Sequence, residues 1–230
     1  MTGYDLKTGR NQKGLTQKEA AQKLKVSQPY LSLIEKGGRR VPAGLARKAT
    51  ALYGLSAVTL PVNTSWEDVE PADSKTAAAD LACLGYPGFA YLKKARRKNP
   101  LEVLLSALSA RRLDARVIDG LPWLLLEYPD LDWKLLISAA KLRDLQNRLG
   151  LVTCVARMLA EKRGEFEKAE LLRTQENILE RSRLVLEDTL CNDSLTQTER
   201  RWLETNRTPE AGHWHVLTDL SPDHLIYAIK

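Results

Sequence analysis

Cationic side chains are concentrated at the beginning of this chain, where they could bind phosphate. Residues 1–58 contain eleven Lys or Arg residues and three acidic residues, a net charge of +8. The whole chain of 230 residues carries +6, so the remaining residues carry −2. A basic module joined to a nearly neutral body is typical of a DNA-binding protein with a separate second function. Charge alone leaves open a solvated basic face on a small domain.

The elements that would position these charges are two short helices joined by a tight turn, over residues 15–35. Thr16 can cap the first helix, with Glu19 completing a capping box. Ser27 can cap a second helix that begins at Gln28. Small residues on the first helix let the second cross it closely. The second helix can then stand out from the body and enter a major groove of DNA.

This segment resembles the Cro/CI (Xre-like) helix-turn-helix family over roughly residues 4–57. The motif residues are Gly14-Leu15-Thr16-Gln17, Ala20, Val26-Ser27-Gln28, Leu31-Ser32, Ile34-Glu35-Lys36-Gly37 and Arg39. The resemblance implies a lambda-repressor-like domain of four to five helices. Gly9 stands where the family usually has an apolar residue, which predicts a weak first helix. Pro29, in the first turn of the second helix, removes an N–H that could have met a phosphate.

The resemblance also implies which side chains would contact DNA. The predicted DNA-binding residues are Gln17, Ser27, Gln28, Tyr30, Ser32, Lys36, Arg39 and Arg40. Gln28, Tyr30 and Ser32 would contact bases, and the amide of a Gln can bond both N7 and N6 of adenine. Gln17 and the basic residues after the second helix would contact backbone phosphate.

The rest of the chain has mainly helical periodicity, so the predicted fold class is all-α. We predict a DNA-binding domain over 1–57, a linker containing Trp66 over 58–75, a helical dimerisation or partner-binding domain over 76–206, and a tail of mixed structure over 207–230. The predicted helices of the second domain cover 76–84, 89–98, a segment from 100, 114–128, 133–162, 165–190 and a short helix after Thr196. Gly150 would bend or split the helix over 133–162.

A second basic cluster lies outside the first module, at Lys93, Lys94, Arg96, Arg97 and Lys98. It could contact phosphate or an acidic partner, or it could be the solvated end of a helix.

Histidines and tryptophans near the C-terminus raise two further possibilities. His213 and His215 share one face of a predicted strand, and His224 follows, but no Cys or carboxylate cluster completes a metal site. We therefore expect no metal and no cofactor. The tryptophans could line a pocket, but their helical spacing favours a place in the core. They are Trp123, Trp133, Trp202 and Trp214.

Several protein classes do not fit the sequence. The three Cys residues have no paired spacing, which fits a reducing cytosol. No stretch has the pattern of a signal peptide, and no apolar run approaches the roughly 20 residues that a membrane helix needs. No nucleotide-binding, hydrolase or metalloprotease motif is present, so we do not expect an enzyme. We expect a cytoplasmic prokaryotic protein that associates with the nucleoid when bound.

The predicted function is sequence-specific binding of double-stranded DNA by a homodimer, on a near-palindromic operator with half-sites about one helical turn apart. An autoregulating repressor of antitoxin type, whose C-terminal domain binds a toxin protein, is the leading version. A ligand- or peptide-responsive regulator is the second version. An interaction adaptor that does not bind DNA is the third alternative.

Overall fold

The computed structural model describes residues 1–62, 69–92 and 96–225. The chain is mostly helical, which confirms the predicted fold class, and it divides into two compact units, Met1–Asn63 and Thr64–Lys230. The domain and linker boundaries at residues 57, 75 and 206 stay predictions. Trp66 and residues 226–230 of the predicted tail lie outside the described residues.

The first unit is a small helical domain. Its helices are α1 Gly3–Gln12, α2 Gln17–Leu24, α3 Gln28–Glu35 and α4 Ala43–Tyr53, followed by a 3₁₀ turn at Ala57–Thr59. Buried apolar side chains from all four helices form its core, including Leu6, Leu24, Leu31, Ile34 and Leu45. Burying each of these large side chains contributes about 1.5–3 kcal/mol to the stability of the domain. Isolated helices of this length are marginal in water, so the domain depends mainly on this packing.

Helix α1 begins with a capping box and passes through Gly9. The Thr2 backbone N–H donates to Asp5 Oδ2 at 2.6 Å, and the Asp5 N–H donates to Thr2 Oγ1 at 3.2 Å. A Cβ atom on Gly9 would lie 2.9 Å from Leu55 Cδ2 and 3.1 Å from Tyr53 Cδ2. Gly9 therefore allows α1 to approach the end of α4 closely, and this packing is a physical reason for a glycine inside the helix.

The second unit is larger and also helical. Its helices are α5 Ser74–Leu84, α6 Pro100–Leu108, α7 Ala115–Ile118, α8 Gly120–Glu127, α9 Trp133–Lys141, α10 Gln146–Lys162, α11 Phe166–Glu180, α12 Gln197–Asn206 and α13 Pro209–His213. Two short strands, β1 Asp188–Thr189 and β2 Val216–Leu217, pair in parallel. Further 3₁₀ turns lie at Pro87–Phe89 and Pro222–His224. No helix among the described residues combines the length and apolar character needed to cross a bilayer.

Helix α10 is the centre of the second unit, because its side chains are buried almost continuously from Gln146 to Ala156. Gly164, at a φ of 71°, reverses the chain so that α11 packs back against α10. Buried Arg148 connects α10 to two other segments. Its guanidinium bonds both carboxylate oxygens of Asp188, at 2.6 and 2.8 Å, and donates to the carbonyl of Leu108 at 2.8 Å.

The prediction of one long segment divided at Gly150 is wrong. The break lies between Lys141 and Gln146, and α10 runs straight through Gly150. The indole of Trp214 is fully buried against this glycine, where a Cβ atom would lie 2.2 Å from Trp214 Cζ3. The glycine therefore provides space for an aromatic ring rather than a bend.

The predicted helix over 165–190 is also wrong beyond Glu180. Asn147 on α10 bonds both backbone groups of Leu184, accepting from its N–H at 2.8 Å and donating to its carbonyl at 3.0 Å. Since helical backbone bonds would use the same groups, the chain leaves the helix here. Val185 and Leu186, inside the predicted helix, are 89% and 80% exposed.

Two other predicted helices are corrected. The helix over 114–128 is interrupted at Asp119, between α7 and α8. In the segment 89–98, the described residues contain only the end of the 3₁₀ turn Pro87–Phe89 and no helix. After this segment, Asn99 caps α6 by accepting a hydrogen bond from the Leu101 N–H at 2.9 Å.

Three tryptophans occupy the core, as the sequence predicts, and one does not. Trp123, Trp133 and Trp214 are buried, whereas Trp202 is 56% exposed. On α12 the neighbouring Leu203 takes the buried position, which turns the Trp202 ring towards the surface.

Candidate nucleic-acid interface

Helices α2 and α3 are held at a fixed crossing by caps and a tight turn. The predicted capping box is present, with the Thr16 N–H donating to Glu19 Oε2 at 2.8 Å. Lys25 ends α2 in the left-handed conformation, at a φ of 58°. Ser27 Oγ then accepts the Tyr30 N–H at 3.4 Å and starts α3. The turn is therefore short enough to place α3 directly across α2.

Small side chains allow the two helices to approach each other. Ala20 and Ala21 on α2 are buried, and Leu31 and Ile34 on α3 are fully buried. The opposite face of α3 therefore points away from the core. An exposed helix face of this kind is what a major groove accommodates.

The predicted DNA-binding residues at the start and in the middle of α3 differ in solvent exposure. Ser27 and Gln28 are exposed, whereas Tyr30 and Ser32 are half-buried. Tyr30 packs against the core of the unit, so only part of its ring is accessible. The amide of Gln28 is therefore accessible at the start of this helix.

Leu33 is a residue of this face that the sequence reasoning missed. Its side chain is 43% exposed, and it lies one turn after Pro29 on α3. Helical spacing could have identified this exposure, because Leu33 falls between the inward positions Leu31 and Ile34. An exposed apolar side chain on such a helix can contact the methyl group of thymine.

The predicted phosphate-binding cations follow α3. Lys36 caps its C-terminus, and Gly37, at a φ of 79°, turns the chain away. Lys36, Arg39 and Arg40 are all exposed. They are thus free of the core and available to a polyanion that approaches the end of α3.

A buried ion pair beneath α3 connects it to α1, and sequence reasoning did not identify it. Arg10 Nε donates to Glu35 Oε1 at 2.7 Å, and a second guanidinium nitrogen donates to Oε2 at 3.1 Å. Arg10 also donates to the Leu15 carbonyl at 2.7 Å. The hydrogen bonds with Glu35 raise the pKa of Arg10, against the opposing effect of burial. The pair therefore fixes the end of α3 relative to the chain entering α2.

Gln17 belongs to the same network. Its Nε2 donates to Glu35 Oε2 at 2.9 Å, and its side chain is half-buried. An amide nitrogen carries two hydrogens, so the second remains for an external acceptor such as phosphate. Glu35 thereby orients the amide of Gln17 at the N-terminus of α2.

Residues 6–60 match the family model described as Helix-turn-helix. The N-terminal unit is a Cro/CI-like helix-turn-helix domain. The match supports a DNA-binding transcription regulator, and this family is not a family of enzymes. No curated protein and no solved structure matches the chain.

The second basic cluster is only partly described. Lys93 and Lys94 lie outside the described residues. Lys98 Nζ donates to the buried Asp80 at 2.6 Å, and Arg97 donates to the Tyr128 hydroxyl at 3.3 Å. These two cations thus have partners within the second unit, although Arg97 and Lys98 are exposed, as Arg96 is.

The three histidines considered for metal binding contact protein groups or stand at the surface. His213 Nε2 lies 2.8 Å from Glu180 Oε2, and His215 Nδ1 lies 2.9 Å from the Leu184 carbonyl. His224 is exposed in the last 3₁₀ turn. The described part of the chain contains no group of three or more His, Cys, Asp or Glu residues arranged to hold a metal ion.

Proposed function

We propose that this protein is a sequence-specific transcriptional regulator that reads double-stranded DNA with the exposed face of α3. The observation that carries the proposal is the accessible amide of Gln28 at the start of a capped, exposed helix within a module of charge +8. In the complex, this amide bonds an adenine edge in the major groove. Ser27, Tyr30 and Ser32 complete the polar contacts at this end of α3.

Leu33 adds an apolar contact to this proposed readout. Its exposed side chain packs against a thymine methyl group, on the same helix face as Pro29. Binding-site selection with a Leu33→Ala variant tests this contact. Loss of a thymine preference at one position supports it, and an unchanged preference at every position contradicts it.

Backbone phosphates bind Gln17 and the three exposed cations Lys36, Arg39 and Arg40 in this proposal. Such contacts orient the domain but carry no sequence information. One domain makes few base contacts, so useful specificity requires two. We therefore propose a homodimer on a near-palindrome, with half-sites about 34–36 Å apart or a multiple of that distance. The protein would act at the nucleoid of a prokaryotic cell.

The experiment that tests DNA recognition is a footprint on the DNA upstream of the protein's own gene, at two salt concentrations and with competitor DNA in excess. A protected near-palindrome supports an autoregulating dimer. The matched variants are Arg39→Glu with Arg40→Glu, and Arg111→Glu with Arg112→Glu, an exposed pair in the second unit. Only the first pair should abolish protection. Equal loss in both pairs would indicate general charge attraction, and protection that survives both pairs would contradict phosphate contact by Arg39 and Arg40. No protection by the unaltered protein would favour an adaptor without DNA recognition.

The second unit is the proposed site of a protein partner, which would be a toxin if the protein is an antitoxin. Support comes from exposed apolar side chains on and after α11, namely Phe166, Ile178, Val185 and Leu186. Exposed apolar surface of this kind could be covered by a protein partner.

The toxin version is tested by co-expression with the product of the adjacent gene. The chain should relieve growth inhibition, and Val185→Asp with Leu186→Asp should abolish that relief. Leu142→Asp is the control, because Leu142 is 75% exposed but lies in the turn before α10. An adjacent gene whose product is harmless, or relief that survives the paired change, would contradict the antitoxin version.

A further inference from the structure

A groove in the second unit is lined by residues that belong neither to the proposed DNA-binding surface nor to the histidines considered for metal binding. It has a volume of about 300 Å³ and runs along one face of α12. Its lining includes Glu199, Trp202 and Leu203 from α12, with Leu190, Leu217 and Asp219 from the strands and the chain after them. We call it the acidic groove. Its volume falls at the lower end of the range of small-molecule pockets, roughly 300–1,000 Å³.

The charge of the acidic groove has one sign. Among the described residues that line it, Glu199 and Asp219 carry carboxylates, and none is Lys, Arg or His. This contrasts with the positive charge of the whole chain, +6. A third carboxyl group, Asp119, directly follows the lining residue Ile118. Burial, together with the negative charge of Asp219, raises the pKa of Asp119, with His224 opposing the shift.

Glu199 remains able to accept a hydrogen bond from a ligand. Its Oε2 receives the Thr196 backbone N–H and hydroxyl, both at 2.7 Å, in the capping box of α12. These bonds lower the pKa of Glu199, so the carboxylate is ionised at neutral pH. Because both bonds go to Oε2, Oε1 keeps its capacity to accept a further hydrogen bond.

Apolar and aromatic surface accompanies these carboxylates. Trp202 lies three residues after Glu199, so both side chains lie on one face of α12. Its ring is 56% exposed and lines the groove, and buried Leu190 and Leu217 add apolar lining. An indole face attracts cations, and a carboxylate beside it strengthens the preference.

We propose that the acidic groove binds a small organic cation, an aryl or alkyl group that carries a primary ammonium. The ammonium pairs with Glu199 and Asp219, and the apolar body packs against Trp202 and the lining leucines. This site would make the protein a regulator that responds to an amine. Binding does not depend on the proposed DNA function, because every lining residue belongs to the second unit.

The test uses the full-length protein labelled with ¹⁵N and follows the indole N–H signal of Trp202, assigned with Trp202→Phe. The probes are benzylammonium, benzyl alcohol and benzoate, which share a ring and differ in charge. Benzylammonium should shift this signal saturably, with a Kd at least about tenfold below that of benzyl alcohol. Benzoate should give no saturable shift. Equal binding of the alcohol and the ammonium would overturn the proposal.

Three substitutions localise the charge. Asp219→Asn and Glu199→Gln should each weaken benzylammonium binding about fivefold, the change expected from losing one surface charge interaction. Gln at position 199 can keep the capping box, so α12 still forms. Glu204→Gln removes an exposed carboxylate of α12 that does not line the groove, and it should leave binding unchanged. Binding insensitive to both lining substitutions would overturn the proposal.

A protein side chain is the competing source of a cation. An arginine-containing pentapeptide that binds more than about tenfold tighter than benzylammonium would assign the groove to a protein partner and overturn the small-molecule proposal. A peptide that binds no tighter supports it. None of these measurements uses DNA, so failure here is distinguishable from failure of operator recognition.

Discussion

Individual side chains on α3 differ in how much of their chemistry they can offer to DNA. Gln28 is exposed and has an amide that can both donate and accept, whereas half-buried Tyr30 has much of its surface against the core. The predicted contact set therefore separates into residues that can read a base edge and residues that support the helix. Gln28 is the residue on which sequence preference should depend most.

Replacing Gln28 by Ala should relax specificity at one base position by about 1–3 kcal/mol, because a bidentate contact to adenine is lost. Binding-site selection followed by affinity measurements on single-base variants of the operator would show the change. Gln22→Ala, at an exposed glutamine of α2, is the control and should preserve the preference. An unaltered preference after Gln28→Ala would mean that α3 is not the reading helix.

A second prediction at the residue scale concerns Asp119. Its folded-state pKa is raised above 3.8 by burial and by Asp219, so the folded state binds its proton more tightly than the unfolded state. Stability is thus highest below the unfolded pKa and falls as the pH rises through the folded pKa. Asp119→Asn should raise the melting temperature at pH 7, and the gain should shrink towards about pH 3. A gain that does not depend on pH would contradict this assignment.

At the scale of elements, long-range contacts decide how helices meet. The Arg10–Glu35 pair lies between α1 and the end of α3, and Gln17 joins it at the start of α2. The hydrogen bonds of Glu35 therefore connect three helices. The position of α3 depends on this network as well as on the apolar core.

Glu35→Gln should destabilise the first unit by about 3–5 kcal/mol, because Arg10 would remain buried without its counter-charge. Urea titration followed through the amide NMR signals of the first unit measures this separately from the second unit. Glu19→Gln is the control, since Gln can keep the capping box at an exposed position. Replacing the pair together, with Arg10→Met and Glu35→Leu, should recover much of the loss. If Glu35→Gln destabilised the first unit no more than Glu19→Gln does, the Arg10–Glu35 ion pair would contribute little to its stability.

The contact between α10 and Trp214 gives a prediction for the second unit. Gly150→Ala places a Cβ atom 2.2 Å from a fully buried ring, so overpacking should cost at least about 1–3 kcal/mol. Gly44→Ala is the control on α4, where nothing lies within 4 Å of the added atom. That change should be neutral or stabilise by about 0.4–1 kcal/mol. Thermal unfolding compares the two, and equal melting temperatures would contradict the packing of Trp214.

At the scale of the whole molecule, the two proposals assign partners of opposite charge to the two units. The +8 of residues 1–58 suits a polyanion, while the acidic groove of the second unit suits a cation. Electrostatic attraction to DNA should therefore come almost entirely from the first unit.

The salt dependence of operator binding tests both this division and the dimer. Lys36, Arg39 and Arg40 from each of two protomers would give six phosphate contacts and a slope of log K against log salt of about −5. Lys36→Ala should reduce the slope by about 2, because one contact is lost from each protomer. Fluorescence anisotropy with an operator duplex measures it. A slope of about −2.7, which three contacts would give, would indicate a monomer on DNA.

The sequence by itself determined what depends on neighbouring residues. The capping box of α2, the serine cap of α3, the turn between them and the charge of the module all follow from spacings of a few residues. Local hydrogen bonds and helical periodicity make such features readable without a fold. Residues 165–190 show the limit, because helical composition beyond Glu180 is overridden by Asn147, whose side chain bonds the backbone of Leu184.

Only the tertiary structure decided the contacts between residues far apart in sequence. Arg10 and Glu35 are 25 residues apart, and the partner of Gly150 is Trp214, in the segment predicted to be a tail. The acidic groove combines α12 with residues from α7, from β2 and from the chain after each strand. Periodicity shows that a residue is polar or apolar on its face of a helix, but it does not show which distant segment packs there. That choice depends on the shape and charge of the assembled core.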